Sequence, residues 1–167
     1  MTKPLHLQTF VRIAMMTALS TVLTMFPQIP SGNGYLHFGD CIIYLTAILM
    51  GPIPGALTGG IGHALADILS GYPVFALPTL LIKGAIGFCV GKLLDGSKKS
   101  PLRQILAALA ALVLVTVGYF LAEIPLYGLG SALLVFVTSP LQWLMSVVAA
   151  WILLPVLTRL QTKIQRS

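Results

Sequence analysis

Five ionisable residues lie within or beside long apolar runs in the first half of the chain: His37, Asp40, His63, Asp67 and Lys83. A charged side chain is costly in hydrocarbon, so such residues usually pair with one another or line a functional cavity. Acidic and basic groups set among apolar helices could bind a polar small molecule, relay protons or form a structural ion pair. The remaining sequence must supply the elements that bring these groups together.

The composition is that of an integral membrane protein. Of the 167 residues, 57% are hydrophobic and 8% are charged, and the mean hydropathy is +0.95. Soluble domains carry about 25% charged residues. The length suits one domain, residues 1–167. The net charge of +6 is concentrated at the chain ends and in one loop, a distribution typical of membrane topology rather than of nucleic-acid binding.

The apolar runs are separated by turns rich in glycine, proline and serine, which predicts an all-α bundle of six transmembrane helices. The predicted helices cover residues 7–26, 37–50, 54–69, 77–94, 102–124 and 133–157. The second is short for a hydrocarbon core of about 30 Å. Glycines spaced three or four apart in the third and fourth helices predict close contact with neighbouring backbones.

The lysines and arginines predict the orientation of the bundle. All of them except Lys83 lie near the two ends of the chain or around a central polar loop that contains Lys98 and Lys99. Positive residues favour the cytoplasmic side, so both termini and this loop are expected to be cytoplasmic. Linkers 27–36 and 70–76, together with linker 125–132, are then external.

This topology brings polar side chains from five helices to one depth in the outer half of the membrane. An apolar cavity with a few convergent polar groups is typical of a small-molecule site. A flat heteroaromatic ligand is expected to stack on Trp143 or Tyr119, under the glycine-rich loop 31–34. The predicted substrate-binding residues are Asn33, His37, Asp40, Asp67, Tyr72, Lys83, Tyr119, Glu123, Gln142 and Trp143.

Structural explanations for the same residues remain open. Tyr72 is of a type that often anchors a helix at the membrane interface. Lys83 needs a carboxylate partner, and Asp67 is the nearest candidate along the chain, with Asp40 and Glu123 as the others. His63 is of a kind that more often bonds between packed helices.

The sequence contains no motif for catalysis or metal binding. Gly91-Lys92 is followed by leucine, so the phosphate-binding loop of ATPases is absent and ATP hydrolysis would require a partner. His37 and Asp40 alone make neither a metal site nor a catalytic triad. We therefore expect no enzyme activity, no catalytic residue, no metal and no cofactor.

Three segments carry a resemblance to a known family: Phe38-Gly39-Asp40, the stretch from Ala66 to Pro73, and the stretch from Pro78 to Gly84. They resemble the S component, the membrane-embedded substrate-binding subunit, of energy-coupling-factor (ECF) vitamin transporters. The specific resemblance covers residues 35–91, about a third of the chain.

The resemblance implies high-affinity binding of a small water-soluble vitamin or precursor near the outer surface of a prokaryotic plasma membrane. It also implies partners, namely a transmembrane T component and two ABC ATPases that hydrolyse ATP. In that family an alanine-xxx-alanine motif in the first span contacts the T component, and Ala14 and Ala18 match it. A pyridine or pyrimidine, such as pyridoxine or hydroxymethylpyrimidine, is the favoured ligand.

Two other classes of function remain open. One is a proton-coupled carrier of small molecules, with Asp67 or Glu123 as the proton relay. The other is a membrane assembly protein that transports nothing and binds no small molecule. Ligand binding by the purified protein, and the need for an ATPase in transport, would discriminate between these classes.

Overall fold

The protein is described by a computed structural model that covers residues 7–94 and 100–164. Lys98 and Lys99, on which the predicted orientation partly rests, lie outside the described residues. Six main helices follow in the predicted order, joined by a small hairpin and short turns. The elements are α1 (Leu7–Met25), β1 (Ile29–Ser31), β2 (Gly34–Leu36), α2 (Gly39–Met50), α3 (Pro52–Leu69), a 3₁₀ turn (Pro73–Phe75), α4 (Ala76–Leu94), α5 (Pro101–Tyr127), the single-turn α6 (Leu129–Ala132) and α7 (Val135–Ile164).

The boundaries differ from the prediction mainly in the second half of the chain. Helix α5 continues through Pro125 to Tyr127, because the backbone N–H of Gly128 still closes the last turn on the carbonyl of Ile124, 2.9 Å away. Helix α7 continues to Ile164 although Pro155 lies inside it. Proline has no backbone N–H and removes one hydrogen bond, but it does not end a membrane helix that neighbouring helices support.

Among the described residues, four segments are long and apolar enough to cross a membrane: Leu7–Met25, Pro73–Leu94, Pro101–Tyr127 and Leu129–Arg159. Helix α2 is shorter, with 12 residues, or roughly 18 Å at 1.5 Å per residue. Every residue from Cys41 to Ala47 is buried. A helix that is apolar all round belongs in the interior. Helix α2 accordingly lies at the centre and packs against α1, α3, α4 and α7.

Helices α3 and α4 pack closely through glycine, as the spacing of their glycines predicts. A Cβ atom on Gly59 would lie 2.5 Å from the carbonyl oxygen of Lys83, and one on Gly87 would collide with the carbonyl group of Gly55. The prediction that these glycines admit a neighbouring backbone is confirmed. This contact holds α4, and with it Lys83, against the rest of the bundle.

Replacing Gly87 by alanine is expected to destabilise the fold by about 1–3 kcal/mol, because the added methyl group would overpack a backbone contact. The matched control is Gly84→Ala on the same helix, where the nearest atom to an added Cβ is 3.6 Å away. Thermal unfolding of the detergent-solubilised variants measures both. Equal midpoints for the two variants would contradict the close packing of α3 on α4.

The prediction of a purely helical chain is corrected by a two-stranded antiparallel hairpin, in which Ile29 pairs with Leu36 and Ser31 with Gly34. Gly32 is the first of its two central residues and has a φ of 59°, as the first central position of a type II′ turn requires. Strands of three residues are too short to show an alternating pattern. The hairpin, the 3₁₀ turn and the segment that contains α6 lie at one end of the bundle, called here the hairpin end.

Candidate functional site

A cavity of about 80 Å³ lies beneath the hairpin, at the hairpin end of the helices. One water molecule needs roughly 10–15 Å³ of such space, so the cavity has room for a small organic molecule. The hairpin forms its cover, and α3, α4, α5, α7 and the 3₁₀ turn form its walls. The lining residues are Ser31, Asn33, Gly34, Tyr35, Leu36, His37, Asp67, Tyr72, Phe75, Thr79, Val115, Tyr119, Glu123, Leu134, Val135, Thr138, Ser139 and Gln142.

Two carboxylates in the cavity wall hold the hairpin in place. The Asn33 amide donates to Glu123 Oε2 at 2.6 Å, and its carbonyl oxygen accepts from the Ser131 hydroxyl at 2.8 Å. The Tyr35 hydroxyl donates to Asp67 Oδ1 at 2.8 Å. Burial raises the pKa of the Tyr35 phenol, and the nearby Asp67 carboxylate raises it further, so Tyr35 stays protonated as the donor.

Aromatic rings form one side of the cavity. The rings of Tyr35 and Tyr72 lie 5.2 Å apart, and those of Phe75 and Tyr119 lie 6.5 Å apart in an edge-to-face arrangement. The hydroxyl groups of Thr79 and Tyr119 are 3.0 Å apart and share a hydrogen bond. This wall presents flat apolar faces with polar tips, which suits a ring-shaped ligand.

A buried charge cluster lies next to the cavity. Lys83 is fully buried, and its Nζ atom donates to both carboxylate oxygens of Asp40 at 2.7 Å. His63 Nε2 is 2.9 Å from Asp40 Oδ1. Gln142 connects the cluster to the cavity, because its Nε2 donates to Asp40 Oδ2 at 3.2 Å and lies 3.0 Å from His37 Nε2.

The residues His37, Asp40 and His63 also have the types that bind metal ions, with one ligand atom from each lying within 4.8 Å of the others. The Lys83 ammonium, however, already contacts both oxygens of Asp40. A cation beside this ammonium would be repelled. The arrangement therefore favours an ion pair over a metal centre.

The structure places seven of the ten predicted binding residues in the cavity wall, namely Asn33, His37, Asp67, Tyr72, Tyr119, Glu123 and Gln142. The other three, Asp40, Lys83 and Trp143, do not line it. Asp40 and Lys83 form the buried pair behind Gln142. They lie behind the cavity wall in this structure, and their direct contact with a ligand stays a prediction.

Trp143 also lies away from the cavity. Its indole N–H donates to the backbone carbonyl of Ala108 on α5 at 2.7 Å, and its ring packs against the apolar core. Neighbouring residues on a helix point about 100° apart, so Gln142 faces the cavity and Trp143 does not. Of the two rings expected to stack on a ligand, only Tyr119 lines the cavity, and Phe75 accompanies it.

The prediction that Asp67 is the first candidate partner of Lys83 was wrong. Asp40, and not the nearer Asp67, accepts the hydrogen bonds of Lys83. Asp67 is engaged by Tyr35 of the hairpin. Distance along the chain misled the prediction, because α4 packs on α2 as well as on α3.

Several lining residues were absent from the predicted set. Val135, Thr138 and Ser139 precede the predicted residue Gln142 by seven, four and three positions and share its face of α7. The helical period starting from Gln142 could therefore have identified them. Phe75 lies in the short 3₁₀ turn, and its sequence carries no comparable signal.

Comparison with known proteins assigns this chain to a family. The family model for the ECF-type riboflavin transporter S component matches residues 5–162. The thiamine precursor transporter HmpT of Lactococcus lactis subsp. cremoris is 30% identical over 150 residues, which is 88% of this chain and 86% of HmpT. A protein of Pyrococcus woesei, described as an uncharacterized protein in a gap 3′ region, is 40% identical over 124 residues, or 74% of this chain and 82% of that protein.

A solved structure supports the same assignment at the level of the fold. The crystal structure of FolT bound with folic acid superposes with a TM-score of 0.64, covering 84% of this chain and 90% of FolT at 17% identity. The four apolar helices of spanning length within residues 7–94 and 100–164 agree with a multi-pass membrane protein. The chain belongs to the ECF-type riboflavin transporter S component family, a family of transporter subunits.

Proposed function

We propose that the chain is the high-affinity substrate-binding subunit of an ECF-type importer for a small water-soluble vitamin or vitamin precursor. The observation that carries this proposal is the cavity beneath the hairpin, where polar side chains from α3, α4, α5 and α7 converge among aromatic rings. HmpT, a thiamine precursor transporter by name, supports the vitamin-precursor class.

The size and lining of the cavity favour one heteroaromatic ring. About 80 Å³ is roughly six times the space that one water molecule needs, which suits a substituted pyridine or pyrimidine better than a fused three-ring system. Tyr119 and Phe75 offer faces to such a ring. Hydroxyl, amide and carboxylate groups around it offer hydrogen bonds.

The proposal is tested by purifying the chain alone and together with a T component and two ABC ATPases. We expect the isolated chain to bind a pyrimidine or pyridine vitamin precursor in calorimetric titration, and we expect uptake into proteoliposomes only when the ATPases and ATP are present. Uptake by the isolated chain under a proton gradient would instead support a carrier. Absence of any bound or copurifying small molecule would contradict the proposal.

The proposed orientation places the hairpin end outside a prokaryotic plasma membrane and both termini in the cytoplasm. Single cysteines introduced for labelling, after replacement of Cys41 and Cys89, test it in intact cells. Cysteines at Asn33, Tyr72 and Gly128 are expected to react with an impermeant reagent, and one at Lys98 is expected not to react. Labelling at Lys98 would reject this topology and the proposed six crossings.

The proposed docking face for the T component is on α1. Ala14 and Ala18 are both exposed and one helical turn apart, among exposed apolar residues that include Val11 and Met15. Two small residues on one face let a partner helix approach closely. The T component must contact the S component within the membrane, so a helix face with two small side chains is a suitable surface.

Replacing Ala14 or Ala18 by tryptophan is expected to lower the yield of complex that copurifies with the T component, because the bulky ring would hold the partner helix away. The ligand dissociation constant of the isolated chain is expected to stay the same. Val113→Trp is the matched control on an exposed position of α5. An unchanged yield for both alanine variants would remove this face from the interface.

A further inference from the structure

Gln142 is the residue through which the cavity meets the buried charge cluster. It lines the cavity together with His37, and its Nε2 atom lies 3.2 Å from Asp40 Oδ2 and 3.0 Å from His37 Nε2. All three residues are at most 8% exposed, so water has little access to them. Each polar atom here must therefore find its partner within the protein or in the cavity.

His37 and Asp40 make opposite demands on Gln142. The backbone N–H of Gly39 donates to His37 Nδ1 at 3.1 Å, so this nitrogen carries no proton and the ring has its N–H on Nε2. Asp40 receives the Lys83 ammonium on both carboxylate oxygens and can only accept. The same terminal atom of Gln142 faces both groups. A nitrogen there satisfies Asp40 and an oxygen satisfies His37, but neither atom satisfies both.

This conflict gives the Gln142 amide two discrete positions. In the first, its N–H donates to Asp40, and the N–H of His37 is left for an acceptor in the cavity. In the second, the amide is turned over about its last side-chain bond, so that its carbonyl oxygen accepts from His37 and Asp40 loses this donor. That torsion is broad and roughly two-fold in glutamine, so both positions are accessible. The ion pair with Lys83 is kept in each.

A molecule in the cavity changes the balance between the two positions. His37 and Gln142 both line the cavity, so a ligand that bonds to either side chain interacts differently with the two positions. A ligand shifts an equilibrium by such a difference in affinity. Occupancy of the cavity therefore determines whether Asp40 has Gln142 as a partner.

A chain of contacts leads from Asp40 to α1. On α3, His63 Nε2 is 2.9 Å from Asp40 Oδ1, and His63 Nδ1 is 3.2 Å from the Ser20 hydroxyl of α1. Ser20 and His63 are at most 1% exposed. Ser20 follows Ala18 by two positions, which is about 200° around the helix. Ser20 therefore meets the cluster, while the exposed Ala18 faces away from it.

Helices α1 and α3 are in close contact at this level. A Cβ atom on Gly62, the residue before His63, would lie 3.0 Å from the Thr17 carbonyl oxygen and 3.0 Å from Ser20 Cβ. Closely packed interiors transmit small shifts. A change in the position of His63 therefore reaches the helix that carries the proposed docking face.

We propose that Gln142 is a two-position switch that couples occupancy of the cavity to docking of α1 on the T component, acting through Asp40 and His63. The inference rests on the proposed function, because it requires both a ligand and a T component. His63 and Ser20 are positioning residues, since neither lines the cavity. Coupling between two binding sites is reciprocal, so docking must change the ligand affinity by the same factor by which the ligand changes docking.

The first experiment measures this factor by calorimetric titration with an aminopyrimidine that carries a hydroxymethyl group, called here the aminopyrimidine probe. Its dissociation constant is determined for the isolated chain and for the complex with the T component and two ABC ATPases, without ATP. We expect the two constants to differ by at least about 5-fold, the lower end of typical coupling. Equal constants would overturn the inference while leaving binding and docking, and hence the proposed function, intact.

Ser20→Ala interrupts the connection at a distance from the cavity. The isolated variant is expected to bind the probe as the unchanged chain does, and its docking face is kept, but the two dissociation constants should become nearly equal. Thr21→Val is the matched control. The Thr21 hydroxyl donates to the Gly62 carbonyl at 2.9 Å, so this variant loosens α1 from α3 without removing a contact of His63, and it should keep the difference between the constants.

Two results with these variants would contradict the connection. A difference that persists in Ser20→Ala would overturn the role of Ser20. A difference lost equally in Ser20→Ala and Thr21→Val would show that any loosening of α1 has this effect, and it would overturn the specific path through His63.

Gln142→Met tests the switch itself. Methionine has a similar length but no amide, so the variant has no choice between His37 and Asp40. Its affinity for the probe is expected to fall in the isolated chain, and docking should no longer change the affinity that remains. A difference of 5-fold or more that persists in Gln142→Met would overturn the assignment of Gln142 as the switch.

Mass spectrometry of small molecules extracted from the purified chain separates failure of the switch from failure of the proposed function. If a molecule other than the probe copurifies, it replaces the probe in the same comparison of the two dissociation constants. A chain that binds neither the probe nor any copurifying molecule would overturn the proposed function, and the inference with it.

Discussion

Replacing Lys83 by methionine is expected to destabilise the protein by about 3–5 kcal/mol, the usual cost of removing one member of a buried ion pair. Lys83 is fully buried and Asp40 is 4% exposed, so the carboxylate left behind would have little access to water. Gln142 and His63 would remain near it, but neither is a permanent cation. Unfolding of the detergent-solubilised protein measures the loss.

The double variant Lys83→Met/Asp40→Asn is expected to be more stable than Lys83→Met alone, because both charges are then removed together. A double-mutant cycle isolates this coupling. The matched cycle with Asp67→Asn in place of Asp40→Asn is expected to show a much smaller coupling, since Asp67 bonds to Tyr35. Stronger coupling of Lys83 to Asp67 than to Asp40 would contradict the geometry of the cluster.

The helices could be predicted from sequence because each is a long apolar run that ends at a turn. The predicted second helix, residues 37–50, and α2 (Gly39–Met50) end at the same residue, where Gly51 turns the chain with a φ of 97°. Membrane helices satisfy their backbone groups locally, so their presence depends little on tertiary contacts. A buried ion pair could also be predicted from the sequence, because a lysine in an apolar helix needs a carboxylate partner.

The identity of that carboxylate could not be predicted, because it depends on which helices face one another. Pairing of Lys83 with Asp40 requires α4 to turn that face toward α2, a result of packing in three dimensions. The hairpin could not be predicted from the sequence for a different reason. Its strands of three residues are stabilised by contacts such as Asn33 with Glu123, residues that are distant along the chain.

Glu123 and Gln142 line the cavity and offer polar groups to a bound ligand. Alanine in place of Glu123 or Gln142 is expected to weaken binding of the aminopyrimidine probe by roughly 10- to 150-fold, if each removes one hydrogen bond that involves a charged group. Trp143→Phe is the matched control, because the indole N–H bonds to Ala108 away from the cavity. Equilibrium titration of the purified variants measures the effect. A loss for Trp143→Phe as large as that for Glu123→Ala would place the site elsewhere.

Glu123 can act in two ways, and Asn33→Ala distinguishes them. Asn33 donates to Glu123 and accepts from Ser131, so its removal releases the hairpin while leaving the Glu123 carboxylate in the wall. If Glu123 acts by holding the cover closed, Asn33→Ala should reproduce the loss of affinity, mainly through faster ligand dissociation. If Glu123 contacts the ligand directly, Asn33→Ala should cost less than Glu123→Ala, because the carboxylate is still present for the ligand. Stopped-flow measurement of ligand dissociation for the two variants therefore shows whether Glu123 holds the hairpin over the cavity or contacts the ligand directly.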